Sequence, residues 1–406
     1  MSDALRHSLA QHFPEAIDWL QRMVEINSFT ANPAGVDALG QLTAECFQEL
    51  GFQAEQVPSE RADFGHHLFL TKPMPGAPRI VLVTHLDTVF PPEEEQRNDF
   101  HWQPAPDEGR IYGPGTVDIK GGTALIWLIL KAMREVMPEV FNGVDWLIAA
   151  NASEEVMATD FARFTAERCP AGAAAVLVFE GGPIEQNEYH LVTARKGRAE
   201  YRLTAHGKGA HAGSAHDQGI NAIVDLAPVI QAAAALTDPA REITVNIGHV
   251  QGGTVLNRVP HLAAIELETR TFDPELLQQT GAALEALSRE ASPGSSGIEV
   301  ERIGLSPSWP DDERTRGLAR YWQEAGTELG LRTGLVKRGG LSDANYLCGL
   351  GPTLDGLGPA GANAHCSERT PDGSKLPEYV ETTSFLPKAL LNLTAIRRLI
   401  AAVKRP

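Results

Sequence analysis

Leu5, Leu9, Phe13, Ile17, Leu20 and Val24 recur three or four residues apart, the spacing of one helical face, so an amphipathic helix is expected over 4–26. Further on the pattern turns to short unbroken apolar runs: RIVLVT at 79–84, VDWLIAA at 144–150 and AAVLVF at 174–179. Runs of this length suit strands covered on both faces. Gly121-Gly122 opens a helical stretch that reaches about Val136, while 91–117, rich in Pro, Gly and charge, reads as a long loop of the kind that often carries function. Strands alternating with helices predict an α/β architecture, a mostly parallel sheet with helices on both faces.

Near residue 189 the pattern changes. YHLVTARKGRAEYRLTAH at 189–206 alternates, as a strand with one wet face does. A helix at about 219–236, strands at 241–250 and 259–271, a helix at 274–290 and a strand near 297–304 follow. This β-α-β-β-α-β order predicts a small α+β, ferredoxin-like domain inserted into the first. The expected division is therefore 1–188 and 305–406 for the main domain and 189–304 for the insert. The biased patch ASPGSSG at 291–297 reads as a turn, and the chain ends in a helix at 382–403.

Of the 406 residues, 43% are apolar and 21% charged, which excludes a disordered chain, a collagen-like repeat and a disulfide miniprotein. The formal charge of −17 disfavours nucleic-acid partners and leaves carboxylates to spare for cations. Cys46, Cys169, Cys348 and Cys366 lie far apart, without a C-x-x-C pair, so neither a disulfide framework nor a cysteine metal site is expected. The sequence starts MSDALRHSLAQHF, with neither the basic start nor the apolar run of a signal peptide, and it contains no apolar stretch of about 20 residues. A reduced, cytoplasmic setting with no membrane partner is expected.

Four segments share one pattern, polar chemistry where a strand ends. In Thr84-His85-Leu86-Asp87-Thr88, His85 and Asp87 point the same way, as for an imidazole backed by a carboxylate. In GPGTVDIKGG at 113–122, Asp118 sits between a Gly-rich loop and a helix start, where it also reads as an N-cap. Ser153-Glu154-Glu155 places adjacent carboxylates after a buried strand, one able to meet a cation and the other a water. Phe179-Glu180-Gly181-Gly182 repeats the theme, and ligands gather at the carboxyl ends of parallel strands. A second imidazole is missing, and spacing alone does not choose among His101, His206, His211, His216 and His365.

Taken in order, VTHLDTVFP (83–91), GPGTVDIKGG (113–122), ASEE (152–155), FEGG (179–182), RKGRAEYRLTAHGKGAHAG (195–213), GINAI (219–223), GGTVLNRVP (252–260), LETR (267–270), GGLSDAN (339–345) and NAHCSE (363–368) cover most of the chain. They resemble the zinc-dependent family of aminoacylases, acetylornithine and succinyl-diaminopimelate deacylases and glutamate carboxypeptidases, the last branch most. The resemblance implies that His85, Asp118, Glu155, Glu180 and His365 bind two Zn²⁺ ions per subunit, Asp118 bridging them. Asp87 would orient His85 and Glu154 would be the general base. His211 would reach a partner subunit's site and steady the oxyanion, and Asn257 and Arg270 would hold the substrate carboxylate. The insert would serve as lid and dimerisation domain of a homodimer.

Thr84 stands where the family usually has Gly, and SERTPDGSKLPEYV after His365 is longer than usual. Two Zn²⁺ against three carboxylates leave one positive charge for an anionic ligand, and nitrogen and oxygen donors would also accept Co²⁺ or Mn²⁺. The expected activity is cleavage of an amide next to a free carboxylate, in a small peptide or an N-acyl amino acid, as a glutamate-type metallocarboxypeptidase. The rivals are an N-acyl amino acid deacylase of the same family and a non-catalytic, metal-dependent carboxylate receptor. Gly339-Gly340 with Ser342 and Asp343 reads either as a helix start or as part of the substrate site.

Overall fold

The structure is a computed structural model that describes residues 2–156, 159–287 and 297–403. It divides into two units, one of residues 1–193, 312–337 and 342–406, the other of 194–311 and 338–341. The patch at 291–297 and the end of the helix expected at 274–290 fall largely outside the described residues.

The first unit is built on a six-stranded sheet, whose strands lie in the order Gln53–Pro58, His66–Lys72, Asp145–Asn151, Arg79–His85, Ala175–Val178 and Thr353–Leu354. The last four run parallel, and the first two form an antiparallel margin. The sheet is therefore mixed, with the parallel part running from its centre to one edge. Alternate residues serve opposite faces. Ile80, Leu82, Trp146 and Ile148 join a core shared with the helices Ser2–Val24, Gly121–Val136 and Thr382–Val403. On the other face Phe69 stacks on Phe161 of the helix Asp160–Glu167, ring centroids 5.9 Å apart. Burial on both faces explains why these strands carry unbroken apolar runs.

The stretch expected to be one long loop at 91–117 instead holds the helix Pro92–Arg97 and the strands Gln103–Ala105 and Arg110–Tyr112. Three-residue strands carry no readable period. Their partners lie far along the chain: Arg110–Tyr112 pairs with Tyr379–Glu381, which in turn pairs with Gly361–Ala362. The single strand expected at 189–206 is two, Glu188–Arg195 and Gly197–His206, parted at Lys196. Only the second alternates in burial.

The second unit has the order expected for the insert: strand Gly197–His206, helix Ala222–Ala234, strands Thr244–Gly252 and Leu262–Thr271, helix Pro274–Ala286 and strand Ile298–Ser306. Its sheet is antiparallel throughout, with Leu262–Thr271 and Gly197–His206 in the middle and Thr244–Gly252 and Ile298–Ser306 at the edges. Leu203, Ile265, Leu226 and Leu284 knit the sheet to its two helices. Among the described residues, no helix is long and apolar enough to cross a membrane.

Candidate metal centre

The parallel strands end together, and their exits deliver the site. His85 is the last residue of Arg79–His85 and is 2% exposed. Glu154 and Glu155 open a short turn just beyond Asp145–Asn151, and Glu180 lies two residues past Ala175–Val178. Asp118 lies in an irregular turn ahead of the helix Gly121–Val136 and does not cap it, since Lys120 is the N-cap residue and contributes no side-chain bond. Glycine is required here: a Cβ on Gly122 would run into the Phe179 carbonyl, so this residue lets the helix start abut the segment that carries Glu180. His365 has φ +66° in a tight turn after Gly361–Ala362.

These residues converge. His85 Nε2 lies 3.1 Å from Asp118 Oδ1 and 3.8 Å from Glu180 Oε1. On the other side His365 Nε2 lies 3.3 Å from Asp118 Oδ2 and 3.2 Å from Glu155 Oε2. One carboxylate thus faces two imidazoles through different oxygens, each imidazole with a second carboxylate beside it. Ligand atoms of His85, Asp118 and Glu155 all fall within 4.8 Å of one another. Nitrogen and oxygen donors in two half-sets around a shared carboxylate fit a pair of divalent cations. The residues that would hold them are His85 and Glu180 on one side, His365 and Glu155 on the other, and Asp118 between.

The electrostatics are those of a pocket built for positive charge. Hydrogen bonds to Asp118 and Glu155 push His365 up to about 11. Burial opposes a charge on His85, yet Asp118 and Asp87 outweigh it and lift the imidazole well above its ordinary range. Desolvation opposes a charge on Asp118 too, but His365 and His85 hold its carboxyl far down. Burial, with Glu180 and Asp343 adding repulsion, drives Glu154 well above the ordinary carboxylate range. A carboxyl raised in this way is a stronger proton acceptor than an ordinary glutamate, as a general base needs.

Asp87 does more than stand behind His85. The imidazole Nδ1 lies 2.9 Å from the Asp87 backbone carbonyl and 3.5 Å from its carboxylate. The carboxylate accepts the backbone N–H groups of Glu154 at 3.0 Å and Glu155 at 3.2 Å and the Thr30 hydroxyl at 2.7 Å. Each buried amide left unpaired would cost about 1–3 kcal/mol, so Asp87 fixes the turn that presents both glutamates. From the far side, His67, fully buried, accepts the Ala152 N–H at 3.1 Å through Nδ1, while its Nε2 faces Asp160 at 3.3 Å. Asn151 donates to Asp343 at 2.8 Å. Ser342 caps the helix Asp343–Leu347 in a reciprocal capping box with Asn345, as the helix-start reading of this segment requires. Thr30, His67 and Asn151 escape sequence reasoning because each is a lone polar residue without a pattern.

The candidates in the second unit are arranged otherwise. His211 is exposed, and its Nδ1 accepts the Gly213 and Ser214 N–H groups, both at 3.1 Å, which leaves Nε2–H free to donate. Asn257 adjoins it, its carbonyl accepting the Ala212 N–H at 3.0 Å. Arg270 is held elsewhere, paired in a fork with Glu268 at 2.8 and 2.9 Å. In the register of the central pair, Arg198 faces Arg270 and His206 faces Leu262. The loops of His211 and Asn257 leave from the Leu262 end, so Arg270 sits eight residues away along the strand, roughly 26 Å at about 3.3 Å per residue.

A candidate cation site on a fold with a second, antiparallel unit fits the class of metal-dependent hydrolases, and the comparisons point the same way. Residues 193–295 match a peptidase dimerisation domain. Carboxypeptidase G2 of Pseudomonas sp. (strain RS-16) is 26% identical over 383 residues, 93% of this chain and 87% of that protein. Among solved structures, the aminopeptidase PepT of Bacillus cereus has a similar fold, with TM-score 0.75, 22% identity, and 95% and 98% of the two chains covered. The YXEP protein of Bacillus subtilis, a dinuclear metal binding peptidase of the M20 family, has TM-score 0.68 at 14% identity, with 97% and 99% covered. The chain is thus similar to M20 metallopeptidases and carries a match to a peptidase dimerisation domain, likenesses that support a peptidase or amidohydrolase.

Proposed function

We propose that this protein is a di-zinc metallocarboxypeptidase that removes a C-terminal glutamate or a similar acidic residue from a small peptide or an N-acyl amino acid. The observation that carries the reading is Asp118, whose two oxygens face different imidazoles, 3.1 and 3.3 Å away, with the half-buried Glu154, which belongs to neither pair, close enough to feel His85 and Glu180. A bound metal pair supplies Lewis acidity and lowers the pKa of water toward neutrality. Glu154 takes the proton of the attacking water and passes it to the leaving nitrogen. Asp87 holds the Glu154 amide, and with it the height of that carboxyl. Co²⁺ and Mn²⁺ suit the same donors.

His211, through its free Nε2–H, steadies the oxyanion in a second copy of the chain. Asn257, from the same copy as His211, and Arg270 hold the substrate carboxylate. The separation of these groups along one sheet supports a homodimer in which one copy supplies Arg270 to a site and the other supplies His211 and Asn257. We read residues 1–188 and 305–406 as the catalytic domain and 189–304 as lid and dimerisation domain. Four unpaired cysteines support a reduced, cytoplasmic setting.

The test is a panel of N-acyl amino acids and dipeptides, scored by initial rate with the zinc-loaded protein. Peptides and acyl compounds ending in glutamate are expected to be fastest. Acetylornithine or succinyl-diaminopimelate as the fastest substrate would move the protein to the deacylase branch, and no amine release from any of them would end the hydrolase reading.

A further inference from the structure

Glu378 has no exposed surface, yet nothing in the reaction above uses it. Its Oε1 accepts the backbone N–H groups of Val117 at 2.9 Å and Asp118 at 3.1 Å. Its own N–H donates to the Cys366 carbonyl at 2.7 Å, and its carbonyl accepts the Gly113 N–H at 3.2 Å. One residue therefore joins both ends of the turn that carries Asp118 to the turn that carries His365. The second carboxylate oxygen, Oε2, is buried without a hydrogen-bond partner among the described residues.

The surrounding strands explain the placement. Tyr379–Glu381 begins at the next residue and lies between Gly361–Ala362, which leads to His365, and Arg110–Tyr112, which leads to Asp118. A small sheet thus sends out two ligands on loops without regular structure, and Glu378 is the side chain placed to fix the outgoing angle of one against the other. An apolar residue of similar size would fill the space with no desolvation cost. A buried carboxylate that accepts two amides at the bridging ligand points to a role in geometry.

We propose that Glu378 is a positioning residue for the metal pair: by accepting the Val117 and Asp118 amides it aims the Asp118 carboxylate at both cations at once. The inference rests on the dinuclear reading above. Glu378→Ala removes the acceptor, whereas Glu378→Gln keeps a carbonyl oxygen for the two amides. The readouts are Zn²⁺ affinity and stoichiometry by competition with a chromophoric chelator, and the visible spectrum of the Co²⁺-substituted protein, both without substrate. Glu378→Ala is expected to lose ten- to a hundred-fold in affinity for at least one of the two ions and to change the Co²⁺ spectrum, as losses of supporting hydrogen bonds at metal sites do. Glu378→Gln should stay within about threefold of the parent, and the same holds for Glu368→Gln on the exposed loop.

If Glu378→Ala fails to fold by circular dichroism, Glu378→Asp replaces it; its acceptor is one methylene shorter, and the same loss is expected at smaller size. Parental affinities for both ions and an unchanged spectrum in a folded Ala or Asp variant would overturn the role of Glu378 alone. A parent that takes up no Zn²⁺ or Co²⁺ would overturn the dinuclear reading beneath it.

Discussion

The candidate metal pocket of the first unit and the candidate groups of the second are built on opposite plans. In the pocket the ligands leave a sheet covered on both faces, and the turns behind them are tied by Asp87, His67 and Glu378 through backbone amides. In the second unit His211 and Asn257 are exposed loop residues, and Arg270 is engaged by its own neighbour Glu268. Chemistry that must keep one geometry is braced from behind. The candidates of the second unit are left at the surface, as groups that met a substrate or another subunit would be.

Glu154 tests the braced side of this contrast and carries the largest effect. Glu154→Gln should lower kcat by about 10²–10⁴ while metal content stays at the parental value. Equal loss of both would mean that Glu154 is a ligand and that the two half-sets around Asp118 are drawn wrongly.

His211 tests the exposed side. His211→Ala should cost about 10²–10³ in kcat, the usual loss for one oxyanion donor. Verified mixed dimers of His211→Ala and Glu154→Gln subunits should regain part of the activity, because one of the two sites then has both intact groups. Mixed dimers as inactive as either parent would mean that each copy uses its own His211.

Arg270 and Glu268 sharpen the comparison at the smallest scale. Arg270→Ala should raise KM about 10–100-fold for substrates with a free carboxylate, as loss of a charged hydrogen bond of about 1.5–3 kcal/mol implies, with less change in kcat. Glu268→Gln should act in the opposite direction, lowering KM severalfold by freeing the guanidinium. An unchanged KM in both variants would take Arg270 out of the substrate site.

How much of this could be read in the sequence follows from the same contrast. The unbroken apolar runs mark the buried parallel strands, and each ligand before the insert stands where such a run ends or, for Asp118, in the Gly-rich turn that abuts one. The strand Gln53–Pro58 left no trace because nearly all of it is exposed, and the strands around 103–112, 361–362 and 379–381 are too short for a period to form. Glu378 is a lone glutamate in LPEYV, and only the fold brings it beneath Asp118. Glu268 is legible as one charge on an alternating strand, but its pairing with Arg270 depends on side-chain rotamers that alternation does not specify.

The position of His365 along the chain has a bearing on biosynthesis. Four of the five candidate ligands precede the insert, and the fifth arrives with roughly the last tenth of the residues, together with Glu378 and the strand Tyr379–Glu381. A chain still being translated therefore presents three carboxylates and a single imidazole. The candidate centre can be completed only once residue 365 has been made, so a product cut short before it would lack one of the two imidazoles.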